Sequence, residues 1–499
     1  MNRLVTENTG MTDDKNPSLS KTGASTDGIN ETWKYIQWYG TVDYNYQNRY
    51  FATLSLLGEA NSRFGEDADG LKMFGVTWAL YPSVQLGWVM TNESWFPKTS
   101  AINYLRVNVG FDMSGNDDIN NYAAQTFYSP VRFTSNKTGL QLTNIGNDKI
   151  KWETTTKYNV GLEGRFFKNR LGVSVDYYMH KTKDLLTLQS FSSPISGINK
   201  YWCNGGELKN TGYEVTFTAK PVVTRDWNVE IGASVGHYKN EISKLPDGAF
   251  ETSLYGADLL TSEGNAMGLF YGYKTAGVFA TDAEAKAAGK NNNYLYMTDE
   301  TGAPQYFKAG DVHFVDLDGN GEINEKDRTV IGDPNPDIYG NIFGSVNWKN
   351  LTLSFGINYS LGNDVYNYQR SILNSGSTLY NQQVAEVNRW RYEGQQTNMP
   401  RAVYGDPMNN NRFSDRWIED GSYIRLKTLT LSYRVPVPGS WTWLQGLTVW
   451  AEAGNLITLT KYTGLDPEFS VGNSAYYQGI DTGTLAQGRT LTCGLKINL

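Results

Sequence analysis

The stretch Leu351-Thr352-Leu353-Ser354-Phe355-Gly356-Ile357-Asn358-Tyr359-Ser360-Leu361 decides the fold. Large apolar side chains occupy every odd position and small or polar ones every even position. A period of two puts the two sets on opposite faces of an extended strand, and no helix sustains it. The pattern recurs outward from there. Leu171, Val173, Val175, Tyr177 and Met179 alternate with Gly172, Ser174, Asp176, Tyr178 and His180; Tyr158, Val160 and Leu162, then Tyr213, Val215 and Phe217, then Trp227, Val229 and Ile231 follow suit, and Leu491, Cys493, Leu495 and Ile497 close the series. The runs last about 9–11 residues, the length of a tilted membrane strand and longer than the globular mode.

The connections fall into two kinds. Short polar turns centred on Gln47-Asn48-Arg49, Lys168-Asn169-Arg170 and Lys349-Asn350 suit tight hairpins. The others are long, over residues 112–157, 181–210, 239–267, 280–337, 362–421 and 456–488, with a helical patch expected at Asp282–Ala288. Short turns at one end and long loops at the other are the habit of outer-membrane barrels. The same alternation serves a soluble β-protein with its greasy face inward, so the pattern alone leaves both open.

Composition narrows the choice. The 499 residues carry 51 Gly, 33 Tyr, 14 Trp and 20 Phe, as strands and aromatic girdles require. No apolar run reaches the ~18 residues of a spanning helix. A net charge of −7 gives no footprint for nucleic acid. Two cysteines, Cys203 and Cys493, build no disulfide framework, and His180, His237 and His313 are too scattered for a metal cluster. Residues 1–30 are polar and read as a flexible segment; Met1–Glu7 has no apolar core, so no export signal is expected here.

Ordered fragments then carry a resemblance. Ser62-Arg63-Phe64-Gly65, Tyr81-Pro82-Ser83-Val84-Gln85-Leu86-Gly87-Trp88 and Ser114-Gly115-Asn116-Asp117-Asp118-Ile119 come first. Trp152-Glu153-Thr154-Thr155-Thr156-Lys157-Tyr158-Asn159-Val160-Gly161-Leu162 follows. Asp327-Arg328-Thr329-Val330-Ile331-Gly332, Pro334-Asn335-Pro336 and Asp415-Arg416-Trp417-Ile418-Glu419-Asp420-Gly421-Ser422-Tyr423-Ile424-Arg425-Leu426-Lys427 lie further on. From about residue 31 onward the series resembles the C-terminal barrel of the SusC/RagA family of TonB-linked outer-membrane transporters (TonB-dependent receptors) from the Bacteroidetes. The resemblance implies an all-β fold, an antiparallel transmembrane β-barrel with short periplasmic turns and long extracellular loops. About fourteen of the roughly 22 strands of such plugged barrels are expected, over residues 31–499, without plug domain or TonB box. It further implies import of oligosaccharides, peptides or other large nutrients, a SusD-like surface lipoprotein as lid, energy from TonB through a plug, and outer-membrane lipid as surroundings. A plugless passive pore of about fourteen strands and a soluble glycan-binding β-protein are the alternatives.

One local motif carries its own chemistry. Asp316-Leu317-Asp318-Gly319-Asn320-Gly321-Glu322-Ile323-Asn324-Glu325-Lys326-Asp327 has the spacing of a twelve-residue calcium loop. Asp316, Asp318 and Asn320 stand at positions one, three and five, Gly321 at the sharp turn, Glu322 with its carbonyl at seven, Asn324 at nine and Asp327 at twelve. The flanks do not read as EF-hand helices, which makes structural Ca2+ the expectation and a solvated turn the bland alternative. Loop aromatics (Tyr201-Trp202, Tyr271, Tyr273, Trp390, Tyr392, Trp417, Tyr476-Tyr477) suit sugar faces or plain loop packing. Arg63, Arg425, Lys427 and Arg489 are expected on strands, toward a polar lumen or paired with acids such as Glu452 or Asp420. Nothing resembles a nucleophile elbow, phosphate loop or zinc site, so no catalytic residue is expected and the chain does not read as an enzyme.

Overall fold

The computed structural model describes residues 2–6, 26–30, 32–99, 101–134, 137–195, 198–438, 440, 443–472 and 474–498. Residues 7–25, most of the polar N-terminal segment, lie outside them. At its flanks Asn2–Thr6 pairs antiparallel with Thr26–Asn30.

The alternating runs are strands of one 14-stranded sheet. Thirteen follow one another as hydrogen-bonded neighbours in chain order: β1 (Tyr35–Tyr46), β2 (Tyr50–Asn61), β3 (Val76–Val89), β4 (Ile102–Asn116), β5 (Glu153–Phe166), β6 (Leu171–Lys183), β7 (Glu207–Val223), β8 (Trp227–Lys244), β9 (Ile338–Trp348), β10 (Leu351–Leu361), β11 (Tyr423–Val435), β12 (Gly446–Thr460) and β13 (Thr490–Asn498). The short strand Leu71–Met73 pairs beside β3. These strands run from 9 to 18 residues, against the 9–11 expected. The alternating stripe marks only the part with large apolar groups, and the hydrogen-bonded ladder continues past it. The ends of the predicted loops are accordingly strand: residues 112–116 belong to β4, 207–210 to β7 and 456–460 to β12.

The chain divides into two compact units, the first of Met1–Gly164, Asp176–Thr211 and Ile242–Gly248, the second of Arg165–Val175, Gly212–Glu241 and Ala249–Leu499. In the first, β1 to β4 pair antiparallel. Arg49 closes the β1–β2 turn by donating its N–H to the Tyr46 carbonyl at 2.9 Å. Gln47 and Asn48 there adopt φ of 52° and 53°, the left-handed pair that a tight hairpin demands. Beside the turn the nearly buried Glu93 accepts hydrogen bonds from Tyr50 Oη (2.6 Å) and Trp88 Nε1 (3.1 Å). Among the long connections, Ile119, Ala123 and Ile150 form a small core with Trp202 against it.

In the second unit β8 to β13 pair antiparallel in sequence order. Val346 faces Leu353, Gly344 faces Phe355, and the register slips at Lys427, with Ile357 opposite Leu426 but Gly356 opposite Thr428. Trp227 and Trp348 stack at 5.8 Å beside the β9–β10 turn, as a girdle would. The apolar stripe is exposed: Ile231, Ile342, Leu353, Leu431, Val449 and Leu495 all present 40 % or more of their surface. Apolar faces of this extent are foreign to water-facing sheets.

The long loops are built, where the sequence suggested none but a helical patch. Phe250–Leu254, Ala257–Thr261, Leu269–Tyr273 and Arg328–Gly332 form a four-stranded sheet. Asp364–Asn367 pairs with Ile418–Asp420 and, in parallel, with Ile480–Asp481. The helical patch is real, a helix over Asp282–Ala287 capped by Thr281, whose hydroxyl accepts from Glu284 N at 3.2 Å. Two apolar cores hold these pieces. One gathers Phe279, Leu295, Phe307, Val312, Phe314 and Met408, the other Leu259, Phe270, Tyr366, Phe413, Trp417 and Ile480.

Candidate functional site

Opposite each exposed stripe, period two puts the small and polar positions. On this face of the second unit lies a cleft of about 480 Å³ lined by Glu214, Thr216, Ser234, Tyr339, Asn341, Asn358 and Tyr423 among others. Ser234 Oγ donates to Asn341 Oδ1 (2.9 Å) and Tyr339 Oη to Glu214 Oε1 (3.2 Å), while Tyr359, on the stripe's face, donates from Oη to the Ser234 carbonyl (2.8 Å). Tyr423 and Ser360 also line a second hollow of about 520 Å³, with Tyr238, Phe469 and Tyr477. The Asn358 and Ser360 positions were legible as the polar face of their strand; Glu214, Tyr339 and Asn341 were not picked out. Neutral amides, hydroxyls and ring faces together suit a hydroxyl-rich solute.

The expected cations divide. Arg425 is almost wholly buried on β11, hydrogen-bonded to Asp466, with Glu468 Oε2 3.1 Å from its other amino group. Lys427 Nζ reaches the same Glu468 at 3.0 Å. Their partners are thus Asp466 and Glu468 from the last long loop, not Glu452 or Asp420. Glu452 instead accepts from Thr430, and Asp420 from the Ser422 amide. Burial pushes the Asp466 carboxyl up. The Arg425 hydrogen bond and the amides of Gln487 and Glu468 outweigh it and hold the group below the usual carboxylate range. Arg63 and Arg489 lie just outside their strands; Arg63 pairs with Asp117 at 3.3 Å.

Of the loop aromatics, Tyr477 lines the larger hollow. Trp417 is buried in a core, Tyr271 and Tyr273 lie under Arg328 and Arg412, and Trp390 donates its indole N–H to the Ala280 carbonyl. Those are packing roles. His237 sits within β8, not at its end, with Nδ1 2.6 Å from the Asp337 carbonyl. Cys203 is buried in the short strand Ile198–Asn204, and Cys493 is exposed on β13.

The twelve-residue loop keeps its tight shape. Asp316 accepts from the amides of Gly319, Asn320 and Gly321 at 2.7, 3.2 and 2.7 Å. Gly321 takes φ of 91°, a conformation side chains resist. Asp327, fully buried, accepts from the amides of Leu317 and Asn324 at 2.8 Å each. These contacts bring carboxylate oxygens of Asp316, Asp318 and Asp327 within 4.8 Å of one another. Asn320 lies against Asp318 (2.9 Å). The side chains of Glu322 and Asn324 turn away, to Thr298 and to the Lys326 amide, leaving Glu322 only its carbonyl to offer.

The family model for the TonB dependent receptor-like β-barrel matches residues 3–456. TonB-dependent receptor P3 of Formosa agariphila is 31 % identical over 493 residues, covering 94 % of this chain and 46 % of that protein. TonB-dependent receptor SusC of Bacteroides thetaiotaomicron is 27 % identical, covering 93 % and 43 %. The chain therefore spans less than half the length of these curated relatives. Among solved structures, the RagAB peptide importer in its closed-closed state superposes with a TM-score of 0.76 at 24 % identity, covering 96 % of this chain and 50 % of that one. That likeness shows the barrel fold. The family is one of outer-membrane transporters and not of enzymes, and with its β-barrel matched over most of its length the chain belongs to the TonB-dependent receptors, as a C-terminal barrel portion of the SusC/RagA kind.

Proposed function

We propose that the chain forms part of an outer-membrane importer of oligosaccharides, working beneath a SusD-like lipoprotein and drawing energy from TonB through a plug. The carrying observation is the pair of opposed faces in the second unit. Exposed Ile231, Leu353 and Leu431 lie on one, and the Glu214–Tyr339–Asn341 cleft on the other. A barrel wall in lipid needs the first, and a path for a hydroxyl-rich solute needs the second. The test is oligosaccharide uptake by cells carrying the transporter with Tyr339→Ala or Asn341→Ala. Uptake should fall several-fold with surface amount unchanged, and unaltered uptake of every glycan the cells import defeats the reading.

The twelve-residue loop serves as a structural calcium site, ligated by Asp316, Asp318, Asn320, the Glu322 carbonyl and Asp327, with Asn324 at most through water. Three carboxylates gathered within 4.8 Å repel one another, and a hard cation relieves that. Calorimetry of the full chain with calcium should show binding that Asp318→Asn weakens; no heat at millimolar calcium defeats it.

A further inference from the structure

Beside the carboxylate loop the structure holds a cleft that no motif announced. It measures about 490 Å³, within the range of small-ligand sites, and is lined by Lys290, Asn291, Asn293, Tyr294, Tyr296, Tyr306, Asn320 and Gly321. Tyr306 stands with its ring centroid 6.5 Å from Tyr294 at 64° and 6.0 Å from Tyr296 at 52°. Tyr296 and Tyr306 face each other across a short hairpin, Tyr296–Thr298 with Pro304–Tyr306. Asp299 locks the turn, accepting from the Thr301 and Ala303 amides at 2.9 Å each and from Gln305 Nε2 at 2.9 Å.

The other wall is fixed as firmly. Tyr296 N donates to the Gly321 carbonyl at 3.3 Å, and its carbonyl accepts from Ile323 N at 2.8 Å. A Cβ at Gly321 would lie 2.9 Å from Lys290 Cβ, so only glycine lets the two walls approach. The cleft is therefore preformed by backbone pairing, which spares a ligand the cost of ordering it.

We propose that this cleft docks a sugar ring of a neutral oligosaccharide on the loops, apart from the sheet-face cleft. Three observations choose that chemistry. The Asn291 and Asn293 amides each offer donors and an acceptor, the complement of vicinal hydroxyls, while the Asn320 amide is engaged by Asp318 and the Glu322 N–H. The lining contains one lysine and no arginine, too little for a phosphate or a polyanion. Tyr306 stands tilted by 52° and 64° to Tyr296 and Tyr294, so it makes a parallel slot for a flat base with neither, whereas a puckered ring with C–H groups on both faces meets tilted rings well.

The inference rests on the import reading for the class of ligand, and its test separates the two. The full chain in detergent is applied to an array of neutral hexose, pentose and hexosamine oligosaccharides, and the best-retained member is titrated against variants. Tyr306 and Asn293 are exposed, so Tyr306→Ala and Asn293→Ala should fold normally, as circular dichroism will report. Tyr306→Ala should weaken binding about tenfold, the worth of one aromatic contact, while Tyr380→Ala, at an exposed loop tyrosine outside the cleft, leaves this binding unchanged. Retention of no array member, or equal affinity in Tyr306→Ala, overturns the docking cleft. Uptake lost in Tyr339→Ala while Tyr306→Ala binds like the parent would leave import standing and the cleft refuted.

Discussion

The sheet strands and the loop assembly of the second unit use the same residue types in opposite ways. On the strands, Ile342, Leu353 and Leu431 are each at least 40 % exposed; in the loops, Leu259, Phe270 and Phe314 are wholly buried. Two surroundings explain the inversion. Hydrocarbon asks the strands only to satisfy their backbone, which the ladder does, and leaves their side chains indifferent to burial. Water asks the loops for a core, and the long connection between β8 and β9 supplies it together with Tyr366, Met408, Phe413, Trp417 and Ile480 from the two later long loops. A barrel of this kind thus carries a soluble-style fold on its wall.

Substitutions can break that contrast. The largest effect is expected from Phe270→Ala, which empties the centre of a loop core. A loss of about 3–5 kcal/mol is expected for the loops alone. Protease should then cut the loops while the sheet keeps its resistance to unfolding in detergent; simultaneous collapse of both would mean the two regions are one cooperative body. Next comes Leu353→Arg, which in vesicles should cost about 2–4 kcal/mol near the midplane, against little for Ser354→Arg on the other face. Equal tolerance of both would show that the stripe does not face lipid. Thr281→Ala removes the helix cap and should cost about 1 kcal/mol of loop stability, read by urea titration of the same protease sites.

The smallest effect is one of pH. Hydrogen bonds from Thr301, Ala303 and Gln305 hold the Asp299 carboxyl down at about 2, from an ordinary 3.8. A lowered value means the contribution is complete above pH 3.8 and fades as pH falls through about 2. Hydrogen exchange at the Thr301 and Ala303 amides should quicken over that interval, and a flat profile would show that the carboxylate does not hold the turn.

The division between the regions also sets what a reader of the sequence can recover. The stripe of Leu351 to Leu361 is local, two residues per repeat, and it placed the strand, its polar face and its turn at Lys349-Asn350. The calcium-like spacing from Asp316 to Asp327 is local too, and the structure does bring Asp316, Asp318 and Asp327 together while sending the Asn324 side chain elsewhere. What escaped depends on distant partners. Phe270 meets Ile480, Asp311 takes both forks of Arg401 at 2.9 Å, and Arg425 finds Asp466 across 41 residues. No periodicity announces such meetings. The tyrosine cleft was missed for the same reason: Tyr296 and Tyr306 become neighbours only once the turn at Asp299 closes.

The slip at Lys427 has a consequence for how this wall can change. Ile424 and Leu431 are both exposed although seven positions apart, an odd step that unbroken alternation forbids. The extra residue restores the parity, letting Arg425 point to Asp466 above it while Leu431 and Tyr433 stay outward below. Loss of that single codon would turn half of β11 inside out, sending leucines into the passage and threonines into the bilayer. A long loop can gain or lose residues freely, but here the gene is held to an exact count.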